Sequence, residues 1–193
     1  TLRFGEMLDD NGELTLKNIQ CSNKKITTPL QTIKYICKDG LNEYKTNFAI
    51  FGFQYMEIDT EIEMSDDWFT AIAVYSDMEE TGFFESSNEL LNKFVKATKW
   101  STKSNSTDLP TDCPTRERHG WTGDAQIFFN TAAYLFDYAT FSEKYIRDVY
   151  DWQQKDGKLP QIVPYGGVDF FMSWMNGSVG WSDVGVLIPY RFW

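Results

Sequence analysis

The segment Gly120-Trp121-Thr122-Gly123-Asp124 recurs in shortened form as Gly180-Trp181-Ser182-Asp183, so its two tryptophans are 60 residues apart. In both segments a Gly-Trp pair precedes a carboxylate that suits the start of a helix. Two helices and two loops fill this interval, which is the period of a repeated helical hairpin. The spacing therefore predicts helices that stack side by side or close into a ring, with the helix-opening loops gathered at one end.

The hydrophobic pattern before, between and after the two Gly-Trp segments predicts four helices. Their expected first residues or caps are Ser87, Asp124, Ser142 and Asp183. The first helix should end near Lys103 and the third near Gly157, since glycine suits the position after a helix. Pro189 should kink or end the fourth helix. The expected apolar faces are Leu91, Phe94, Val95 and Thr98 in the first helix, Phe128, Ala132, Leu135 and Phe136 in the second, and Tyr145, Val149 and Trp152 in the third.

The first 85 residues have the pattern of strands. Residues 14–19 alternate with a period of two after the turn-forming residues 10–12, and residues 48–58 and 69–75 are aromatic and β-branched. Short strands separated by Gly, Asn and Asp are typical of a β-sandwich, or of the last part of one. We therefore predict a multi-domain β-then-α chain, with a sandwich portion over residues 1–85 and helical hairpins over residues 86–193.

Composition and charge exclude several classes of protein. The chain has 193 residues and a net charge of −10, so it would repel nucleic-acid phosphates, and nucleic acid is not an expected partner. No apolar run approaches the roughly 20 residues needed to cross a bilayer, so no membrane span is expected. The compartment is left open between secreted, periplasmic and cytoplasmic. Both termini lack the features of natural ends, so we expect a piece of a longer protein.

The loop before the second predicted helix contains the densest group of reactive side chains. Its carboxylates are Asp108, Asp112, Glu117 and Asp124. Closely spaced carboxyl groups move each other's pKa values apart, so that one is protonated while its neighbour is ionised. Glycoside hydrolysis requires such a pair of carboxyl groups. Trp121 and Trp181 would offer flat apolar faces to a sugar ring.

Structural explanations of the same residues remain open. A carboxylate-rich loop with arginines also forms solvated salt bridges, Asp124 and Asp183 suit helix caps, and Trp121 suits a core position. The chain has three cysteines and no C-x-x-C pair; they are Cys21, Cys37 and Cys113. Whether Cys21 forms a disulfide with Cys37 is left open. One histidine and one nearby cysteine are too few for a tetrahedral metal site, so no metal and no cofactor are expected.

Residues 112–124 resemble the signature of the α-L-rhamnosidases of glycoside hydrolase family 78. This signature reads Asp112-Cys113-Pro114-Thr115-Arg116-Glu117-Arg118-His119-Gly120-Trp121-Thr122-Gly123-Asp124. The similarity covers about residues 48–193, including residues 81–92, 156–160 and 180–189. It implies an inverting glycosidase with an (α/α)6 barrel preceded by β-sandwich domains, of which this chain holds the first hairpins.

The resemblance also implies roles for individual residues. Glu117 would be the general acid, and the rhamnose hydroxyls would be bound by Asp112, Arg116 and Asp124. The apolar side of the sugar would lie on Trp121 and Trp181, with Asp183 as a further candidate for the same pocket. Two departures from the family pattern are the short spacing from Arg116 to Glu117 and the histidine at position 119, where an aliphatic residue is common.

The general base of this family is a glutamate farther toward the C-terminus, outside these residues. The expected partners are therefore a rhamnose-containing oligosaccharide or glycoside and the remainder of the protein's own chain, and the 193 residues alone should be inactive. Two other classes remain open. One is a carbohydrate-binding module in which the β-rich half acts without catalysis, and the other is an inverting (α/α)6 glycosidase with a different sugar preference.

Overall fold

The computed structural model describes residues 1–20, 30–166 and 172–193. These residues form two compact units, one of Thr1–Ala73 with Pro114–Glu117 and one of Val74–Cys113 with Arg118–Trp193. The first unit contains most of the strands and the second contains the α-helices, which confirms the predicted order of β before α. The predicted domain boundary at residue 85 stays a prediction.

The first unit is built around a three-stranded antiparallel sheet. Strand β1 (Leu2–Gly5) is followed by β2 (Met7–Leu8), β3 (Leu14–Thr15), β4 (Thr32–Ile33) and β5 (Tyr55–Ile58). The sheet has the order β4-β1-β5, and β2 pairs with β3 in a separate hairpin. The turn predicted at residues 10–12 is confirmed, because the N–H of Gly12 (φ 82°) donates to the carbonyl of Asp9 at 2.9 Å.

The other predicted strands are largely wrong. The strand expected over residues 14–19 ends at Thr15, and a 3₁₀ turn over Lys17–Ile19 follows it. Only Tyr55–Ile58 of the stretch 48–58 pairs as a strand, and residues 69–75 form none. A high strand propensity is realised only where a second backbone is available for pairing.

A buried glutamine takes the place of a strand partner beside residue 52. The side chain of Gln31 donates to the carbonyl of Gly52 at 2.8 Å and accepts from its N–H at 3.0 Å. On either side of Gly52, the rings of Phe51 and Phe53 contact Phe4 with centroid distances of 5.0 Å. This backbone is therefore hydrogen-bonded without belonging to the sheet. Cys21 lies outside the described residues, so its pairing with Cys37 stays open.

The second unit contains four α-helices among the described residues. They are α1 (Glu89–Ser104), α2 (Thr122–Leu135), α3 (Ala139–Asp151) and α4 (Val184–Phe192). The short strands β6 (Ser106–Thr107) and β7 (Leu109–Pro110) pair with each other between α1 and α2. Helix α4 packs against both α2 and α3. No helix in the described part of the chain is both long enough and apolar enough to span a membrane.

The predicted helix starts are correct at one of four positions. Asp183 is the residue before α4, as expected. Ser87 is wrong because Asn88 caps α1, accepting from the N–H of Leu90 at 2.9 Å. Ser142 is wrong because α3 begins three residues earlier, at Ala139.

Asp124 is also wrong as a cap, since α2 begins at Thr122 and places Asp124 inside the first turn. The N–H of Thr122 donates to the carbonyl of Gln161 at 2.8 Å, so a distant backbone group satisfies the start of this helix. A carboxylate in the first turn is still favoured by the positive end of the helix dipole.

The helix ends and faces are partly as predicted. Helix α1 ends at Ser104, one residue beyond the prediction, but α3 ends at Asp151, well before Gly157. Buried residues of the second unit include Ala125, Phe129, Ala132, Phe136, Tyr145, Val149, Val184 and Ile188. The faces predicted for α2 and α3 therefore contribute to the core, except for Trp152. The face predicted for α1 does not, because Leu91 and Phe94 are 47% and 67% exposed.

Pro189 lies inside α4 and does not end it. Proline has no N–H, so the carbonyl of Gly185, four residues earlier, cannot receive its usual helical hydrogen bond. The hydroxyl of Tyr150 in α3 donates to this carbonyl at 2.7 Å. A neighbouring helix thus satisfies the group that Pro189 leaves unpaired.

An ion cluster fixes α1 to the segment that precedes it. Lys103 and Lys99 lie 2.6 Å and 2.9 Å from the two carboxylate oxygens of Glu80. The Lys103 ammonium also lies 5.0 Å from the ring centroid of Trp100 and 5.2 Å from that of Tyr75. The hydrogen bond from Lys103, with a second from Lys99, lowers the pKa of Glu80 below its ordinary value of 4.5.

We predict that Glu80→Gln lowers the melting temperature near neutral pH but not in acid. A carboxyl group whose pKa is lower in the folded state than in the unfolded state stabilises the fold when the pH is above its ordinary pKa. This stabilisation is lost as the pH falls through the lowered pKa. A partly exposed ion pair is worth roughly 0–1 kcal/mol, so the expected loss is up to about 4 °C. Calorimetry of both proteins across the acid range measures it.

Glu143→Gln is the matched control, because Glu143 pairs with Arg147 on an exposed helix surface. This variant should change the melting temperature little at any pH. An equal deficit of Glu80→Gln at neutral and acid pH would contradict the role of the cluster.

Candidate functional site

A cavity of about 540 Å³ lies in the second unit, between the C-terminal end of α1 and the N-terminal end of α2. Sites for small molecules commonly have roughly 300–1,000 Å³. The wall includes three residues that the sequence predicted for sugar binding, Asp112, Asp124 and Trp181. Asn105, Thr111 and Phe128 also line it, so polar and apolar side chains face the same space.

Asp112 is held by contacts with the backbone of His119. The Asp112 N–H donates to the His119 carbonyl at 3.0 Å, and the His119 N–H donates to Asp112 Oδ1 at 3.0 Å. Only one carboxylate oxygen is used in this way. An aspartate fixed by the backbone of His119 in this way can present the rest of its carboxylate to a ligand hydroxyl.

The two Gly-Trp segments meet, as the repeat predicted. The rings of Trp121 and Trp181 pack edge to face with centroids 6.4 Å apart. The side-chain amide of Gln126 in α2 donates to the carbonyl of Gly180 at 3.1 Å. Trp181 lines the cavity, and Trp121 supports it from the side without being part of the wall.

Gly123 allows the indole of Trp181 to reach the first turn of α2. A Cβ atom at residue 123 would lie 3.0 Å from Trp181 Nε1 and 3.1 Å from Cδ1, which is closer than an ordinary contact. Gly123 is not among the residues that the sequence predicted for the site. Its position between Trp121 and Asp124, inside both the repeat and the signature, was the available signal.

Asp183 lies outside the cavity wall. Its Oδ2 accepts from the N–H of Gly180 at 2.8 Å and thereby closes the turn that carries Trp181. Asp108 is also outside the wall, since its side chain is 74% exposed and forms a salt bridge with Lys144 at 3.1 Å. For Asp108, the structural explanation of a solvated ion pair applies.

Arg116 and Glu117 belong to the first unit and are described with it. Arg116 Nη2 lies 2.6 Å from Glu117 Oε1, and both side chains are partly exposed. In this arrangement Glu117 accepts a charge-assisted hydrogen bond. Transfer of a proton from Glu117 would therefore require it to exchange Arg116 for another partner.

Tyr138 is a cavity residue that the sequence did not indicate. Burial raises the pKa of Tyr138 to about 12, so the phenol is neutral over the physiological range. Its oxygen lies 3.3 Å from the Ser106 hydroxyl in the same wall. Within the described ranges, no group of three or more His, Cys, Asp or Glu side chains is arranged to hold a metal ion.

We predict that Gly123→Ala is coupled to Trp181. Alanine favours a helix over glycine by up to about 1 kcal/mol, but the new methyl group must displace the indole by a few tenths of an ångström. Gly123→Ala should therefore stabilise the protein in a Trp181→Ala background and stabilise it less, or destabilise it, beside Trp181. A double-mutant cycle of unfolding free energies measures the coupling. Additive effects would show that the close contact has no energetic consequence.

Two domain models of one protein family match the chain. Residues 79–193 match the bacterial alpha-L-rhamnosidase 6 hairpin glycosidase domain, and residues 1–75 match the bacterial alpha-L-rhamnosidase concanavalin-like domain. Curated alpha-L-rhamnosidases of Formosa agariphila and Alteromonas sp. are 35% and 33% identical over the whole chain, which covers 20% of each relative.

Two solved structures are similar in fold. The alpha-L-rhamnosidase from Dictyoglumus thermophilum has a TM-score of 0.87 and 31% identity, with 99% of this chain and 20% of that chain covered. The Streptomyces avermitilis enzyme complexed with L-rhamnose has a TM-score of 0.78 and 28% identity, with 98% and 18% covered. The chain thus spans about a fifth of the length of these relatives. Because one family match alone covers residues 79–193, the chain belongs to the bacterial α-L-rhamnosidase family.

Proposed function

We propose that the protein containing this chain is an inverting glycoside hydrolase that releases terminal, non-reducing α-L-rhamnose from rhamnosides. The observation that carries the proposal is the cavity of the second unit, where Asp112, Asp124 and Trp181 meet. Carboxylates suit the hydroxyl groups of a sugar, and an indole suits its apolar C–H surface and its 6-deoxy methyl group. The similarity to an enzyme complexed with L-rhamnose supports this choice of sugar.

In this proposal each side chain has one role. Asp112, Asp124 and Arg116 bind hydroxyl groups of rhamnose. Trp181 carries the apolar face of the sugar, with Trp121 beside it. Asp183 does not touch the sugar in this proposal. Its hydrogen bond with the N–H of Gly180 supports an indirect role, which is to close the turn that carries Trp181.

Glu117 is proposed as the general acid that protonates the departing glycosidic oxygen. To do so, Glu117 must leave its ion pair with Arg116. In the proposal, Arg116 binds the sugar hydroxyls instead, which releases Glu117. In an inverting enzyme the acid and base carboxyl groups are roughly 6.5–9.5 Å apart, and the attacking water lies between the base and the sugar, on the face opposite the leaving group. The proposed base is a glutamate outside these 193 residues.

The proposed architecture is a β-sandwich portion over residues 1–85 and the first hairpins of an (α/α)6 barrel over residues 86–193. The contacts of α4 with α2 and α3 support a hairpin arrangement. The match to a domain described as having six hairpins supports a complete ring in the full-length protein.

We predict that Glu117→Gln in the full-length protein lowers kcat on unactivated rhamnosides by about 10²–10⁴-fold, because a positioned general acid contributes that much. Aryl rhamnosides with good leaving groups should be affected far less, since their departure needs little protonation. Steady-state kinetics on both substrate types measure the difference.

Glu143→Gln, on an exposed surface of α3, is the control and should keep full activity. Unchanged hydrolysis of a natural rhamnoside by Glu117→Gln would exclude Glu117 as the acid.

Aryl glucosides, mannosides and fucosides, assayed in parallel with the wild type, test for a different sugar preference. Sugar binding that survives Glu117→Gln and Trp121→Ala, in a protein whose wild type hydrolyses none of these glycosides, would favour a binding module.

We further predict that the purified 193-residue chain does not hydrolyse aryl rhamnosides, because the proposed base is not among its residues. The full-length protein should do so under the same conditions. Steady turnover by the short chain would contradict the proposed division of acid and base.

A further inference from the structure

Gln161 connects the start of α2 with the turn that precedes Trp181, although its side chain does not line the cavity. It is 1% exposed. Its carbonyl accepts from the Thr122 N–H at 2.8 Å and from the Thr122 hydroxyl at 3.0 Å. Thr122 directly follows Trp121, so this end of Gln161 fixes the point where the first tryptophan enters α2.

The backbone N–H and the side-chain N–H groups of Gln161 hold the turn that leads to the second tryptophan, whereas its buried Oε1 has no hydrogen-bond partner among the described residues. The Gln161 N–H donates to Asn176 Oδ1 at 3.2 Å. The side-chain amide donates to the Met175 carbonyl at 3.0 Å and to the Ser178 hydroxyl at 2.6 Å. Both N–H groups of this amide are therefore used, and both bind the segment that ends at Gly180 and Trp181.

The neighbours of Gln161 reinforce the same connection. The Ser182 hydroxyl donates to the Leu159 carbonyl at 2.8 Å, and the Gly177 N–H donates to the same carbonyl at 3.0 Å. Trp121 forms an isolated β-bridge with Ile162. Residues 159–162 therefore connect the two Gly-Trp segments, and the Gln161 side chain bonds to residues 175 and 178.

We propose that Gln161 is a positioning residue that sets the relative placement of Trp121 and Trp181 and thereby the shape of the sugar-binding wall. The inference rests on the proposed function for its consequence in catalysis. The placement itself is measured without substrate, so the two proposals can fail separately.

Gln161→Met in the full-length protein removes both amide donors while keeping the length of the side chain. The protein is labelled with 5-fluorotryptophan, and the fluorine resonances are assigned with Trp121→Phe and Trp181→Phe. We expect the Trp181 resonance to shift or broaden. Displacement of a binding group by about 1 Å can cost 10²-fold, so kcat/KM on an aryl α-L-rhamnoside should fall by about tenfold or more, chiefly through KM.

Gln31→Met is the matched control. Gln31 is also 1% exposed, and its amide likewise donates to two carbonyls, those of Phe4 and Gly52, but in the first unit. It should lower the melting temperature without moving the Trp181 resonance or raising KM. Ser178→Ala removes one acceptor of the Gln161 amide and should shift the same resonance by a smaller amount, which keeps the test available if Gln161→Met fails to fold.

A Trp181 resonance and a KM that are unchanged in Gln161→Met, or no more changed than in Gln31→Met, would overturn the inference. An unchanged resonance in Ser178→Ala would overturn it where Gln161→Met is unfolded. Wild-type protein that hydrolyses no rhamnoside, together with a shifted resonance in Gln161→Met, would support the positioning role and refute the proposed function.

Discussion

The start of α2 and the adjoining cavity wall depend on two close approaches at glycines, where the backbone carries no side chain. A Cβ atom at Gly120 would lie 1.9 Å from the carbonyl oxygen of Val163, a distance that no rotation could relieve. The bare backbone instead lets the Val163 N–H donate to the Gly120 carbonyl at 2.9 Å, and the Tyr145 hydroxyl donates to the same carbonyl at 3.2 Å. Three residues later, Gly123 admits the ring of Trp181. The start of α2, one wall of the cavity and the path of residues 159–163 all follow from these close approaches.

Much of the helical unit was predictable because helical spacing and the Gly-Trp repeat are local signals. Asp183 before α4 and the buried Ala132, Tyr145 and Val149 are examples. The start of α2 was not, because the carbonyl that accepts its first N–H belongs to Gln161, far along the chain. The strands were predicted poorly for the same reason, since the backbone at Gly52 pairs with a glutamine side chain that no local pattern reveals.

Three residues of the cavity wall were predictable from the sequence, but their arrangement was not. Asp112, Asp124 and Trp181 line one cavity, whereas Asp108, from the same loop, is in solvent with Lys144. The backbone of this loop reverses at Asp108 (φ 67°) and at Arg118 (φ 56°), in the left-handed region that few residues other than glycine adopt. Neighbours in sequence therefore diverge in space. The residue types do not predict these reversals. Asp adopts the left-handed conformation only sometimes, and Arg does so rarely.

The proline in α4 makes this helix depend on its neighbour α3 for one hydrogen bond. Gly185 and Pro189 leave a gap in the hydrogen-bond ladder of their own helix, and the donor that fills it comes from Tyr150 in α3. Without α3, the Gly185 carbonyl in the first turn of α4 would have no helical hydrogen-bond donor. The Tyr150 hydroxyl thus links α3 to the first turn of α4, so separating the two helices would leave this carbonyl to solvent.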